Sequence, residues 1–426
     1  MTEIAPIERI ERIEGTERTE RTEGTERTDR TERTERDCVV VGGGPAGLML
    51  GLLLARGGVR VTVLEQHGDF LRDFRGDTIH PSTQEVLHEL GLLDRFLARP
   101  HEDLPRVTMS FSGRSLVLAD FTRLPTERTA IAFMPQWDFL DLLAEAGREH
   151  AGFSLRVRTA GTALLRDGAR ITGVVAEGPD GPVEIRAKLT VLADGRDSEL
   201  RAAAGLRTLG ARSAIDVLWF RIPRAVNEQM PFLLAGDGAL LSIPRGDFYQ
   251  CAHIVRKDAW HGDAASFEAM RRRIALLAPL FEQRMSALRL DEVRVLHVRI
   301  ERLERWYRDG LLAIGDAAHA MSPAGGVGIN LAIQDAVATA NALVPQLRHA
   351  RPSEALLREI QRRRERPARV TQAFQRRLET VLVRLAEPGE RVPVPLPLRA
   401  LQHLPALRHL MGRFIGLGLR PEHVAR

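Results

Sequence analysis

Gly42, Gly44 and Gly47 stand as G-x-G-x-x-G directly after the apolar run Cys38–Val41, and Glu65 closes the next apolar run. A glycine triplet of this kind binds a pyrophosphate. The first residue permits a tight turn, the second lets the backbone approach the anion, and the third lets a helix pack closely on the strand. Free N–H groups and the dipole at the start of that helix favour negative charge. A carboxylate about twenty residues past the triplet accepts hydrogen bonds from an adenosine ribose, and Glu65 is so placed. Two later stretches add to this chemistry. Asp194-Gly195 follows the apolar run Leu189–Ala193, and Gly315-Asp316 follows Leu311–Ile314. The C-terminal end of a strand is where ligands of an α/β sheet sit. Pro323-Ala324-Gly325-Gly326-Val327-Gly328 then opens a long helix. Its backbone N–H groups can approach a flat ligand and stabilise developing anionic charge.

The elements that must hold these groups are legible. Cys38–Val41 is short, apolar and rich in β-branched residues, which predicts a buried parallel strand. Pro45 sits at a helix start, where its missing N–H costs nothing. The helix runs to Arg56 and stops at Gly57-Gly58, and a second strand covers Arg60–Leu64. Residues 66–80 read as an extended loop containing Arg75 and ending at His80, before a helix that starts at Pro81. Residues 106–133 alternate as strands, and Gln136–Glu149 is an amphipathic helix. Residues 153–193 read as a meander broken by DGAR and PDGP turns, with a helix beginning near Ser198. Residues 212–256 form a second β-rich region, in which Trp219, Phe220, Phe248 and Tyr249 could line an apolar pocket or fill a core. Helical segments follow at 264–288, a strand at 293–300, a long arginine-rich helix at 352–385, a proline segment and a last helix ending near Leu417.

Composition bounds the rest. The 426 residues give room for two domains and a large core. The formal charge is only +5, only Lys188 and Lys257 are lysine, and arginine is spread along the chain. A nucleic-acid role would want a basic stripe with interleaved aromatics, and none is seen. Two cysteines, Cys38 and Cys251, build no disulfide framework and no C-x-x-C metal site. No apolar run reaches a membrane span, and there is no signal-peptide core, so a cytoplasmic protein is expected. Residues 1–36 are low complexity (ERIERIEGTERTERTEGTERTDRTERTER), lack apolar periodicity after Ile13, and are expected to be a disordered tail.

Three phosphate- and ribose-type sites, far apart in sequence, suggest a large bent cofactor. GGGPAG at 42–47 with Glu65, ADGRDS at 193–198, and GDAAHAMSPAGGVGIN at 315–330 together resemble the single-component FAD-dependent aromatic monooxygenases with the para-hydroxybenzoate hydroxylase fold. The likeness covers about residues 37–390. It implies an α/β fold: a Rossmann-like (GR2-type) FAD-binding domain, an inserted β-rich substrate domain and C-terminal helices. The expected layout is a tail at 1–36, the FAD domain at 37–210 with inserted strands, a substrate region at 211–300, the rest of the FAD domain at 301–390 and a helical tail at 391–426.

The resemblance also implies roles. Gly42, Gly44, Pro45, Ala46 and Gly47 would hold the FAD pyrophosphate, and Glu65 the adenosine ribose. Arg75 and Gln136 match FAD-contacting positions. Asp194 belongs to a motif tied to FAD and NAD(P)H, and Asp316 to the ribityl and pyrophosphate side. Gly328, Ile329 and Asn330 would lie beside the isoalloxazine ring. NADPH or NADH would reduce the flavin, O2 would add to give a C4a-hydroperoxyflavin, and an electron-rich aromatic or heteroaromatic substrate (a phenol, quinolone or polyketide) would be hydroxylated or epoxidised, as some bacterial members do in secondary metabolism. No metal is required. No side chain is plainly the substrate base; His80, Tyr249 and His253 are nominal candidates, and Trp219, Phe248 and Tyr249 are candidate substrate contacts. Monomer and homodimer both remain open.

Other readings compete. Flavin-dependent halogenases share the fold but use a lysine near the substrate and a W-x-W-x-I-P segment, of which Trp219-Phe220-Arg221-Ile222-Pro223 is a partial echo. A reductase of polyprenyl chains shares the cofactor motifs. A basic nucleic-acid or partner-binding protein is the non-enzyme alternative, and bound flavin would count against it.

Overall fold

The computed structural model describes residues 32–71, 78–111, 114–236, 238–385 and 402–425. Arg75 and residues 1–31 lie outside these.

The apolar runs pair as parallel strands. The first sheet has the order Tyr307–Arg308, Leu311–Ala313, Gly181–Leu192, Glu32–Val41, Val61–Leu64 and Phe153–Arg156. All neighbours from Leu311–Ala313 to Phe153–Arg156 are parallel. The core of this sheet is buried on both faces, which explains runs without polar alternation such as Cys38–Val41. Register puts Val41 opposite both Leu64 and Leu192, and Leu192 opposite Ala313. The C-terminal ends of four strands therefore stop on one line. Helices Pro45–Arg56 and Gly328–Leu347 pack together against this sheet so tightly that a Cβ on Gly57 would lie 2.6 Å from Val344. Strands Ala160–Asp167 and Arg170–Gly178 extend the Gly181–Leu192 strand as the expected antiparallel meander.

The second sheet has eight strands, in the order His319–Ala320, Arg294–Leu303, Thr208–Pro223, Phe248–Arg256, Ala239–Arg245, Leu233–Ala235, Arg106–Phe111 and Arg114–Asp120. Its last two strands were expected with the FAD domain. They join this sheet because Leu233–Ala235 pairs in parallel with Met109–Phe111, a contact that no local pattern announces. One face packs on helices Ala264–Leu277 and Glu282–Met285 through Phe220, Tyr249, Ile274 and Phe281. The opposite face packs on Leu378 and Leu382 of helix Glu354–Leu385 and on Ala324 of the glycine-rich loop.

The tail expectation needs one correction. The first strand begins at Glu32, not at Cys38, so residues 32–36 of the expected tail belong to it. Residues 32–36 pair with Val183–Ala187, and their charges find partners: Arg33 lies 3.3 Å from Glu184, and Arg156 donates to Glu32 at 3.0 Å. A charged run can thus extend a strand without burying apolar surface. Among the described residues no helix is long and apolar enough to cross a membrane.

Candidate functional site

Gly42, Glu65 and Ala193 stand one residue past a strand end and Gly315 two residues past, so these motifs meet at the C-terminal ends of the first sheet's strands. Gly42 has φ +106°, and a Cβ there would lie 2.4 Å from the Ala193 carbonyl oxygen. Gly47 faces Gly42 so closely that a Cβ would lie 1.9 Å from the Gly42 oxygen. Gly315, at φ +59°, abuts Ala46, 3.0 Å from where its Cβ would be. The glycine triplet, Asp194 and the Gly315-Asp316 turn therefore form one cleft. By contrast, no atom of the described residues, chain neighbours and the helix's own backbone aside, lies within 4 Å of a Cβ built on Gly44 or on Gly195. Both backbones are open for a ligand to approach. Gly44 caps helix Pro45–Arg56, and Pro45 occupies its first turn as expected.

The carboxylates of the cleft are held in different ways. Glu65 is buried and accepts hydrogen bonds from the N–H groups of Gly43 (3.1 Å) and His67 (2.9 Å). Burial pushes the Asp194 carboxyl up to about 6, against a hydrogen bond from Ser198 and the charge of Arg201. Its Oδ1 is buried with no hydrogen-bond partner among the described residues. Asp316 accepts a hydrogen bond from Arg196 Nη2 at 3.1 Å.

A buried network fixes the Asp316 turn from behind. Asp335 Oδ2 accepts from the Gly315 N–H at 3.1 Å and lies 2.6 Å from His319 Nε2. Its Oδ1 accepts from Arg364 Nε at 2.8 Å, and Arg364 Nη1 donates to Glu422 at 3.2 Å. These partners hold the Asp335 carboxyl below its ordinary range despite its burial. The network was not foreseen; its members come from four separate segments, and no local spacing links them.

The glycine-rich loop is clamped by Asn330. Its Oδ1 accepts from the His80 N–H (2.9 Å) and the Thr83 hydroxyl (2.7 Å), and its Nδ2 donates to the carbonyls of Thr78 (3.1 Å) and Gly326 (3.2 Å). Gly328 and Ile329 begin the helix beside it. An apolar cavity borders this loop, lined by Gly325, Val327, Leu331, Phe374, Phe414 and Ile415. Phe374 and Phe414 meet edge to face at 5.2 Å.

The residues match the FAD-binding domain family over positions 35–374. The chain belongs to this family of FAD-binding monooxygenases. It is 34% identical over 357 residues to the 6-methylpretetramide 4-monooxygenase of Streptomyces rimosus, covering 80% of this chain and 84% of that protein. It is 30% identical to the rifampicin monooxygenase of Streptomyces venezuelae, over 70% of this chain and 62% of the relative. The fold matches that of the OxyS anhydrotetracycline hydroxylase from Streptomyces rimosus, with TM-score 0.73, 24% identity and coverage of 92% of this chain and 78% of that one. The flavin-dependent brominase Bmp2 matches with TM-score 0.74 at 18% identity, covering 90% and 94% of the two chains.

The residues fit the cofactor of the family. The open Gly44 and Gly195 leave a cradle that side chains would fill, and the orphaned Asp194 Oδ1 is a buried acceptor that a sugar hydroxyl can satisfy. Gln136 opens the helix Gln136–Arg148 and is half-buried.

The nominal bases fare differently. His80 is buried, with Nδ1 2.9 Å from the Ile415 carbonyl, and burial holds its imidazole down to about 4. His253, likewise buried and held down to about 4, sits against the Ala239 carbonyl. The Tyr249 hydroxyl donates to the Glu228 carbonyl at 2.8 Å, and its ring packs on Phe281. Strand alternation puts Tyr249 and His253 on the helix-covered face of the second sheet, away from the glycine-rich loop. Trp219 points to the opposite face and packs in the cluster that contains Ala324. Phe248 shares that face and carries Arg221 at 4.9 Å. Sequence alone could not separate these faces, because both are buried.

Proposed function

We propose that this chain is a monooxygenase that uses FAD, NAD(P)H and O2 to hydroxylate or epoxidise a hydrophobic, electron-rich aromatic of the polyketide type. The observation that carries this reading is the convergence of three cofactor motifs in one cleft, within a chain whose relatives include the 6-methylpretetramide monooxygenase. The Gly42–Gly47 turn and the positive end of helix Pro45–Arg56 hold the pyrophosphate. Glu65 takes the adenosine ribose, and Asp316 the ribityl side. Bound FAD supplies electron storage and oxygen activation. The N-terminus of helix Gly328–Leu347 presents positive potential to the ring. The apolar cavity beside the loop offers an aromatic substrate an apolar surface next to the expected ring position.

His80, Tyr249 and His253 bond backbone carbonyls, so no base is assigned from them. A halogenase reading is not favoured. Both lysines are engaged elsewhere, Lys188 with Asp37 at 2.9 Å and Lys257 with Asp216 at 2.7 Å.

The test is product mass. FAD-loaded protein, NADPH or NADH and 18O2 are incubated with a panel of polyketide aromatics, quinolones and phenols. One labelled oxygen in a product of a large aromatic is the expected result. Nicotinamide oxidation that yields only peroxide across the whole panel would sink the substrate assignment, and hydrogen gain without label would point to a reductase.

A further inference from the structure

We propose that Arg196 is a positioning residue of the cofactor site: its guanidinium holds the Asp316 carboxylate in place and offsets the repulsion between that carboxylate and the FAD pyrophosphate. The inference rests on the assignment of Asp316 to FAD made above.

The charge balance of the cleft argues for it. Asp194 and Asp316 stand at the ends of adjacent parallel strands, Gly181–Leu192 and Leu311–Ala313. The same cleft must accept a dianionic pyrophosphate. Helix Pro45–Arg56 offers only partial charge, and it has no basic residue in its first turn. A partly buried carboxylate beside a diphosphate is unfavourable unless a cation lies between or beside them. Arg196 supplies that cation, 3.1 Å from Asp316, with the two side chains 17% and 32% exposed.

Among the described residues, two further cations near this part of the sheet, Arg201 and Lys188, are committed. Arg201 bonds Glu301 at 2.7 Å and the Ala317 carbonyl at 3.4 Å, and Lys188 is held by Asp37 on another part of the sheet. Arg201 also donates to the Arg196 carbonyl at 2.5 Å, which fixes the backbone from which the Arg196 side chain departs. Gly195, at φ +89°, makes the turn that aims Arg196 toward Asp316 and leaves the intervening backbone open. Arginine suits this place because its planar fork can hold a carboxylate with one edge and face a phosphate with the other.

The experiment is a cycle of four deflavinated proteins, namely wild type, Arg196→Gln, Asp316→Asn and the double variant. FAD dissociation constants are read from flavin fluorescence at low and high salt, and thermal midpoints of the apoproteins are read in parallel. Arg196→Gln is expected to raise the FAD Kd at least tenfold and to flatten its salt dependence, with the apoprotein midpoint unchanged. In the Asp316→Asn background the same change is expected to raise Kd less than threefold, and Arg196→Lys is expected to restore part of the affinity. A Kd within twofold of wild type for Arg196→Gln, or two effects that multiply fully in the double variant, overturns the proposal while leaving the site assignment intact. An unchanged Kd for Asp316→Asn overturns both. A lowered apoprotein midpoint with unchanged Kd makes Arg196 a stability residue only.

Discussion

Between pH 7 and pH 5, two buried histidines and the Asp194 carboxyl contribute to how stability responds to acid. Burial holds His80 and His253 down to about 4, whereas a histidine in an unfolded chain titrates near 6.5. Between those values the folded state binds fewer protons, so their contribution to stability is whole above about pH 6.5 and is lost as pH falls toward 4. Asp194 has the opposite sign. Its carboxyl is pushed up to about 6, so it favours the folded state in acid and this contribution fades as pH rises through 6. Two histidines outweigh one carboxyl, and the thermal midpoint of the apoprotein is expected to fall from pH 7 to pH 5. His253→Gln, whose amide can still meet the Ala239 carbonyl, is expected to make that fall shallower; an unchanged slope would rule out His253 as its source. Asp194, Asp316 and Glu65 were legible in the sequence because each sits in a short motif at a strand end. The Arg196 partnership was not, because it spans 120 residues and depends on which strands lie side by side.

The glycine triplet divides its labour between fold and ligand. Gly47 is needed for helix packing, since a Cβ would lie 1.9 Å from backbone. Gly47→Ala is expected to cost the apoprotein roughly 3 kcal/mol, at the upper end of overpacking penalties, read from urea unfolding. Gly44 has no neighbour among the described residues within 4 Å of that position, its own helix backbone and chain neighbours aside. Gly44→Ala is expected to leave apoprotein stability within about 0.5 kcal/mol, as for a surface change, and to reduce FAD retention after gel filtration. Equal destabilisation by both changes would contradict this division. Most helices and strands of the first sheet were readable from apolar runs, prolines and glycines. The second sheet was only half readable. Its strands at 106–120 join across a parallel pairing with 233–235, and its two buried faces carry no alternation to say which side chains meet the loop.

At the scale of the whole molecule, a short segment near residue 422 locks the cofactor lobe. Glu422 is buried against Arg363 and Arg364, its N–H donates to Gln334, and the Val424 N–H donates to Glu89 at 2.7 Å. Removing the Glu422 charge leaves the buried Arg364 guanidinium with Asp335 and the Arg420 carbonyl, and the lost charge-assisted hydrogen bond typically costs about 1.5–3 kcal/mol. Glu422→Gln is expected to lower the midpoint of urea unfolding accordingly, and an unchanged midpoint would show that the charge is not needed there. The three-motif architecture was legible across the chain, but this closure was not, since buried ion pairs between distant segments leave no periodic trace. The alignment of strand ends at Val41, Leu192 and Ala313 also fixes an order of events. The pyrophosphate turn lies early in the chain, yet its companion turn at Gly315-Asp316, which follows a strand paired with Gly181–Leu192, is translated much later. Flavin capture is thus a late step in the biogenesis of this protein, and a nascent chain that has exposed only its first βαβ unit has a phosphate loop but nothing yet to close over the rest of the dinucleotide.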